Sequence, residues 1–199
     1  TDQPAPLLQA VQDSRKGQAE LSALLGERVR EAVELLVQAH GEQLKQQCAD
    51  VDPADIYRAA VRVVMRMVVV FFAESRHDLL PRSNSIYHRA YGLHGLIEEL
   101  GKHGGKDGAS LKLAFGAWPR VLALFRLVYQ GSPHPELSIH AYGGELFETG
   151  DAQATDGLKR ALAVFESACY EGQVMSDREV LTLIKGISQT EIRLRQGKL

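Results

Sequence analysis

The sequence predicts an all-α fold, a multi-helix domain built around one central buried helix. Apolar residues recur at helical spacing over most of the 199 residues. One segment, residues 53–80, is nearly all apolar through its middle, and such a helix is expected to lie inside a helical core. The stretch that lacks helical periodicity, residues 137–153, is expected to form an irregular loop or a short hairpin around Gly143 and Gly144.

The central helix has clear signals at both ends. Asp52 is a favourable N-cap, Pro53 suits the first helical position, and Asp55 places a negative charge in the first turn. Pro81 disfavours the helical conformation of the residue before it, so the helix cannot continue past that point. The sequence therefore predicts a helix from Pro53 to Leu80.

Side chains along this helix divide into an apolar spine and a charged end. Val64, Val68 and Phe72 fall on one face, which is expected to be buried. Glu74 and Arg76 are two residues apart, so they cannot face each other along a helix. A carboxylate at the edge of an apolar core needs a charged or hydrogen-bonding partner. We therefore expect another helix to supply the partner of Glu74.

Further helices are expected on both sides of the central one. Ser176 and Glu179 have the spacing of a capping box, so a final helix is predicted to begin there. Residues 1–17 are expected to be a flexible leader, and the glycine-rich residues 101–110 a loop. The remaining helices are predicted at residues 20–44, 86–100 with a break near Gly92, 111–130 with a kink at Trp118-Pro119, and 155–170.

Composition restricts the class of protein. The formal net charge of −2 argues against a dedicated nucleic-acid-binding domain, and two cysteines cannot form a disulfide framework, which favours a cytoplasmic location. The longest apolar block, residues 59–73, is shorter than the ~20 residues of a bilayer span and contains two arginines, so no membrane association is expected. Because the chain does not begin with Met, we expect one helical domain, residues 1–199, excised from a larger protein.

Catalytic and ligand-binding motifs are absent from the sequence. The seven histidines include His77, His88, His94 and His103 in one region, but their spacing matches no standard metal site. No GxGxxG or P-loop pattern offers a nucleotide site. We therefore predict no catalytic, cofactor-binding or metal-binding residue in this chain.

Arg58, Arg62 and Arg66 recur every four residues on the central helix. Such a stripe can grip phosphates, because the guanidinium fork matches phosphate oxygens. Alternatively it borders the core and pairs with acidic groups such as Glu74, and this interpretation is favoured because arginine stripes on amphipathic helices are commonly salt-bridged. The predicted contacts for weak, sequence-independent binding of double-stranded DNA are Arg58, Arg62, Lys102 and Lys106.

The segment YGGELF, residues 142–147, contains the adjacent glycines Gly143 and Gly144. Glycine allows a backbone to approach a ligand closely, and it equally allows a tight turn. The turn is favoured here, because it would place Leu146 and Phe147 in the helical core.

Four short motifs follow one another between residues 53 and 150. The apolar central helix is followed by a motif made of Phe72, Glu74, Arg76, Leu80 and Pro81. The later motifs are Tyr87, Tyr91 and Leu93, then residues 122–131, then Tyr142, Gly144, Leu146 and Phe147. In this order the motifs resemble the helical region of fused type IIG restriction–modification polypeptides, and the adenine-specific DNA methyltransferases of the DISARM and BREX phage-defence systems are similar.

The resemblance implies a helical connector, or scaffold, next to an S-adenosylmethionine-dependent methyltransferase domain. The glycine-rich cofactor loop and the Asn-Pro-Pro-Tyr motif of such a domain are absent from this sequence, as is a nuclease Glu-x-Lys pair. S-adenosylmethionine is therefore expected in the parent enzyme and no cofactor in this segment. The implied partners are neighbouring domains of the parent chain and double-stranded DNA. The alternative is a free-standing helical module that binds another protein. The residues of the structural signature are Phe72, Glu74, Arg76, Tyr142, Gly144 and Phe147.

Overall fold

Helices account for most of the protein, as predicted. The computed structural model describes residues 6–76, 79–104, 109–167 and 174–196, with side chains described between residues 23 and 188. Over these residues the all-α prediction is confirmed, with one two-stranded antiparallel sheet added to the helices. The helices are α1 (Pro6–Ala39), α2 (Gly41–Gln47), α3 (Pro53–Ser75), α4 (Ser85–Ala90), α5 (Leu93–His103), α6 (Ala117–Gln130), α7 (Gly157–Phe165) and α8 (Asp177–Gln196). The strands are β1 (Ser132–His134) and β2 (Leu137–Ile139), and short 3-10 turns lie at Ser110–Lys112 and Glu145–Phe147.

The central position of α3 is confirmed. The Asp52 carboxylate caps it by accepting a hydrogen bond from the Ala54 N–H at 2.8 Å, and Pro53 occupies its first turn. The helix contacts α1, α5, α7 and α8. Its inward face is fully buried at Val63, Met67 and Val70. Burial of such side chains is the main favourable term in folding, so α3 organises the core.

Two details of α3 differ from the prediction. The helix ends at Ser75 and not at Leu80, because Arg76 has an extended backbone and the chain then turns to bury Leu80 in the core. Pro81 sets only the latest point at which a helix can end. Phe72 is 56% exposed, whereas its neighbour Phe71 is buried. The buried face therefore runs through Phe71, and the prediction that Phe72 lies in the spine was wrong.

The bounds of several other helices differ from the predicted bounds. The helix predicted at residues 20–44 is two helices, separated at His40. Helix α1 begins at Pro6, so residues 6–17 of the expected leader are helical, and residues 1–5 lie outside the described residues. The predicted break near Gly92 is confirmed, and α5 continues to His103, into the predicted loop; residues 105–108 lie outside the described residues. The helix predicted from residue 111 begins only at Ala117.

Pro119 lies in the first turn of α6 and does not kink it. A proline is tolerated there because the first N–H groups of a helix have no partner within the helix. The Ala117 N–H is instead bound by the Asp177 carboxylate at 2.8 Å, so the start of α8 caps the start of α6. The capping box that opens α8 is confirmed. The Ser176 N–H donates to Glu179 at 2.8 Å, and the Glu179 N–H donates to the Ser176 hydroxyl at 3.3 Å.

The predicted hairpin exists, but it lies earlier in the chain than Gly143 and Gly144. Strands β1 and β2 pair with Ser132 opposite Ile139, and the turn falls at residues 135–136. Gly131, with a φ of 72°, leads into β1, and a Cβ there would stand 2.6 Å from the Ile139 carbonyl oxygen. Within the described residues, no helix combines the length and the apolar character that crossing a membrane requires.

Candidate functional site

The carboxylate of Glu74 is the most constrained polar group near the end of α3. It is fully buried, and one oxygen accepts hydrogen bonds from the Tyr87 hydroxyl at 2.9 Å and the Leu93 N–H at 2.8 Å. The other oxygen accepts from the His94 N–H at 3.2 Å and contacts the His94 ring through Nδ1. Glu74 thus joins α3 to α4 and to the first turn of α5. The prediction that its partners come from other helices is confirmed.

These partners keep Glu74 ionised in spite of its burial. Burial raises the pKa of Glu74, but the hydrogen bonds from His94, from the Leu93 N–H and from Tyr87 outweigh it, so the pKa lies below its usual value. Burial and the adjacent carboxylate raise the pKa of Tyr87 far above its usual range, so this hydroxyl remains a donor. A low-pKa carboxylate with every oxygen engaged is a poor proton acceptor for chemistry. Glu74 therefore has a structural role, in which its buried hydrogen bonds hold α3 against α4 and α5.

Helices α4 and α5 meet at a sharp bend, called the elbow below, where their backbones pack closely. A Cβ on Gly95 would stand 1.8 Å from the His88 carbonyl oxygen, so only glycine lets α5 approach α4 this closely. Arg120 of α6 also reaches the elbow, donating to the His88 carbonyl at 3.1 Å and to Glu99 at 2.7 Å. The elbow is fixed by contacts from three sides.

Arg66, in the middle of α3, is a second buried charged side chain that holds separate segments of the chain together. Its side chain is 1% exposed and pairs with Glu166 at 2.5 Å, while its other nitrogens donate to the carbonyls of Leu146 at 2.6 Å and Glu148 at 2.7 Å. The guanidinium also lies 5.5 Å from the ring centre of Phe125. Burial lowers the pKa of Arg66 and Glu166 raises it, with burial the larger effect. Arginine stays charged under all ordinary conditions, so the pairing persists.

The arginine stripe therefore runs from solvent into the core. A spacing of four residues rotates each side chain by about 40° relative to the last. The Arg58 side chain is 65% exposed and pairs with Asp55 at 2.9 Å, whereas the Arg62 side chain is 18% exposed and pairs with Glu145 at 2.8 Å. The favoured interpretation of a salt-bridged stripe agrees with these pairs. Glu74 is not among the partners, because it faces α4 and α5.

Of the two predicted DNA-contacting lysines, Lys102 lies on a different helix from this stripe. Lys102 is exposed in the last turn of α5, and Lys106 lies outside the described residues. The structure therefore places Arg58 and Arg62 on successive turns of one helix and Lys102 on another.

The segment of residues 142–147 forms the predicted tight turn. Gly143 and Gly144 have φ values of 56° and 84°, a region that side-chain-bearing residues rarely adopt. The turn directs Phe147 into the core, where its ring lies 6.1 Å from that of Phe125 in an edge-to-face contact. The Tyr142 hydroxyl donates to the Leu79 carbonyl, so this segment is also fastened to the chain just beyond α3.

The outward face of α3 carries apolar side chains that the described residues leave open to solvent. Tyr57 is 53% exposed, Val69 37% and Phe72 56%. Val61 and Met65 lie between them and are partly exposed. The Arg76 guanidinium lies 5.9 Å from the centre of the Phe72 ring, so these two signature residues form a surface pair at the end of the helix.

His40, which no motif in the sequence points to, is a buried histidine at the junction of α1 and α2. Its Nδ1 lies 2.9 Å from the Leu36 carbonyl oxygen, and its ring packs against Trp118 and Phe165. Burial lowers the pKa of His40 to about 4, so the ring is neutral at physiological pH. Among the described residues there is no group of three His, Cys, Asp or Glu side chains that could hold a metal ion.

The sequence did not predict which residues bind Glu74 and Arg66. Arg66 shares the period of Val63, Met67 and Val70, and this alone could have placed its side chain inside. No comparable signal links Glu74 to Tyr87, because their contact depends on how the chain turns between them.

Comparison with protein-family models, with curated proteins and with solved structures finds no match to this chain.

Proposed function

We propose that this chain is a non-catalytic helical connector of a DNA-modifying enzyme, either an adenine-specific DNA methyltransferase or a fused restriction–modification protein. One observation carries the proposal. The separate sequence motifs that resemble this family are joined by direct contacts, because Glu74 binds Tyr87 and Leu93, and Tyr142 binds the Leu79 carbonyl. Motifs that hold one another in place behave as a single unit, which is what the resemblance requires.

The buried contacts of Arg66 and Glu74 support a role in holding neighbouring domains in place. Arg66 and Glu74 spend their hydrogen-bonding capacity on other parts of the same chain. Buried ionic contacts of this kind leave a costly unpaired charge when they are broken, so they hold helices in one arrangement. A connector needs such rigidity to keep its neighbours in a fixed relation around DNA. S-adenosylmethionine would be bound by the methyltransferase domain of the parent enzyme, in the cytoplasm.

DNA contact in this proposal is weak and limited to the phosphate backbone. Arg58 is largely exposed, and Lys102 extends from the last turn of α5. Arg62 is less accessible, since Glu145 already neutralises it. Phosphate contacts position a protein without distinguishing bases, so binding should be indifferent to sequence and strongly weakened by salt. Lys106 belongs to the same proposed set.

Titration of a labelled duplex at low and at physiological salt tests this proposal. We expect weak binding at low salt that Arg58→Ala combined with Lys102→Ala reduces. The matched control is Arg30→Ala, which removes an exposed arginine of α1 and should leave binding unchanged. The same preparation, incubated with DNA and S-adenosylmethionine, should transfer no methyl group. Methylation by the chain alone, or salt-resistant binding to one sequence, would contradict a non-catalytic connector.

A second candidate function is that of a protein-interaction module. The observation that favours it is the open apolar face of α3, with Tyr57 and Phe72 each more than half exposed. Contiguous apolar surface on a water-soluble domain commonly marks a site where another protein binds.

A further inference from the structure

We propose that the phosphate backbone of double-stranded DNA binds a basic surface where the end of α5, the 3-10 turn at Ser110–Lys112 and the first half of α8 meet. This inference rests on the proposed function and names the surface that makes the main contact. The surface, called the α5–α8 basic surface below, carries four exposed cationic side chains: Lys102, Lys112, Arg178 and Lys185.

Hydrogen bonds hold these three segments together. Helices α5 and α8 contact each other, and the 3-10 turn contacts both. The Ser110 hydroxyl donates to the His103 carbonyl at 3.1 Å, which joins the turn to the end of α5. The Asp177 N–H donates to the Ala114 carbonyl at 2.7 Å, which joins the chain just after the turn to the start of α8. Lys112 is two residues from each of these joints, so it is held near both helices.

Two of the cations share one side of α8. Arg178 and Lys185 are seven residues apart, which is close to two helical turns, so they lie on nearly the same side about 10 Å apart. Thr182 lies between them and is exposed. The apolar residues Val180 and Ile184 lie on other sides of the helix and are buried. The solvent side of the first half of α8 is therefore polar and positively charged.

The four cations are available to a ligand. Within the described ranges none of them forms an ion pair, whereas Arg58 and Arg62 of α3 pair with Asp55 and Glu145. The carboxylates on α5 and on the first half of α8 are each engaged by another side chain or by a helix N–H group: Glu98, Glu99, Asp177 and Glu179. A group of unpaired cations attracts a polyanion, and binding of phosphates releases the counterions of the nucleic acid.

The composition of the surface favours nucleic acid over an acidic protein or a membrane. Lysine is depleted at protein–protein interfaces, yet three of the four cations are lysines, a residue type that commonly binds phosphate. A helix that lies on a membrane combines its basic face with a large apolar face. Here Thr182 lies between the cations of α8, and Leu113 is the exposed large apolar residue on the described part of these segments.

The salt dependence of duplex binding, measured by fluorescence anisotropy, tests this surface. Each phosphate contact contributes about 0.9 to the slope of log K against log salt concentration. We expect Lys112→Ala combined with Arg178→Ala to reduce the magnitude of that slope by about 1.8 and to weaken binding at low salt by about 10-fold or more. Circular dichroism verifies that the variant keeps its helical content.

The matched control removes two exposed cations from helices outside the surface. Arg30→Ala combined with Lys45→Ala changes the net charge by the same amount, on α1 and α2, and should leave the slope unchanged. Vesicles of equal parts phosphatidylserine and phosphatidylcholine form a second arm, in which we expect no binding at the salt concentration where the duplex binds.

Four results would overturn the inference. They are no duplex binding at low salt, equal slopes for the two double variants, binding that Arg58→Ala weakens while Lys112→Ala with Arg178→Ala leaves it unchanged, and vesicle binding in place of duplex binding. The connector proposal would survive each of them, because it is decided by the methyl-transfer assay and by the adjoining coding sequence. Conversely, an adjoining sequence without methyltransferase motifs would remove the parent enzyme and leave a reduced slope as evidence for this surface.

Discussion

Replacing Glu74 with Ala should destabilise the protein more than any change of a surface charge. Glu74 is fully buried, and its carboxylate binds the Tyr87 hydroxyl, two N–H groups at the start of α5 and the His94 ring. Glu74→Ala leaves the Tyr87 hydroxyl and the Leu93 N–H buried without an acceptor. It also removes the negative charge that faces His94.

The magnitude follows from these contacts. Hydrogen bonds to a charged group contribute about 1.5–3 kcal/mol each, but bonds that share one carboxylate are not additive. Each buried donor that is left without an acceptor, here the Tyr87 hydroxyl and the Leu93 N–H, costs about 1–3 kcal/mol. We therefore expect Glu74→Ala to lower the free energy of unfolding by about 4 kcal/mol. Arg58→Ala, which removes an exposed pair with Asp55, should cost at most about 1 kcal/mol.

Urea unfolding of the unmodified chain and both variants, followed by circular dichroism, measures these differences. Glu74→Gln is a useful third variant, because it keeps an acceptor oxygen and should fall between the other two. A loss below about 1 kcal/mol for Glu74→Ala, or equal losses for Glu74→Ala and Arg58→Ala, would refute the argument that this carboxylate holds α3 to α4 and α5.

Two further predictions follow from burial. Phe71→Ala should lower the free energy of unfolding by about 3–5 kcal/mol, whereas Phe72→Ala should cost about 1 kcal/mol or less, and urea unfolding that gave the opposite order would place the core on the other face of α3. His40 titrates at about 4 in the folded chain and near 6.5 when unfolded, so the unfolded state binds more protons between these values and stability should fall by up to about 3 kcal/mol as the pH drops from 6.5 to 4. His40→Phe should flatten this part of the stability curve, and an unchanged curve would show that His40 is not the group responsible.

Helix caps and turns that depend on only a few neighbouring residues could be predicted from the sequence. Asp52 with Pro53 and Ser176 with Glu179 each satisfy free N–H groups at a helix start, and both caps form as expected. The glycine turn before Phe147 is local in the same sense, since it depends on the backbone freedom of two adjacent residues.

Features that depend on distant segments were predicted less well. The end of α3 at Ser75 and the burial of Phe71 in place of Phe72 are set by the helices packed around α3, and an apolar run gives little indication of which side faces inward. The partners of Glu74 and Arg66 follow them by between 13 and 100 residues, so only the folded chain brings them together. The sequence therefore predicts that Glu74 needs a hydrogen-bonding partner from another helix, but it does not identify that partner.

The proposed function makes this chain a connector in a DNA adenine methyltransferase polypeptide. The most direct test is to determine the coding sequence that follows the codon for Leu199. The proposed function predicts an open reading frame that continues into a glycine-rich cofactor loop and an Asn-Pro-Pro-Tyr motif, which together hold the methyl donor and the target adenine. A frame that ends there, or continues into a domain without these motifs, would contradict it.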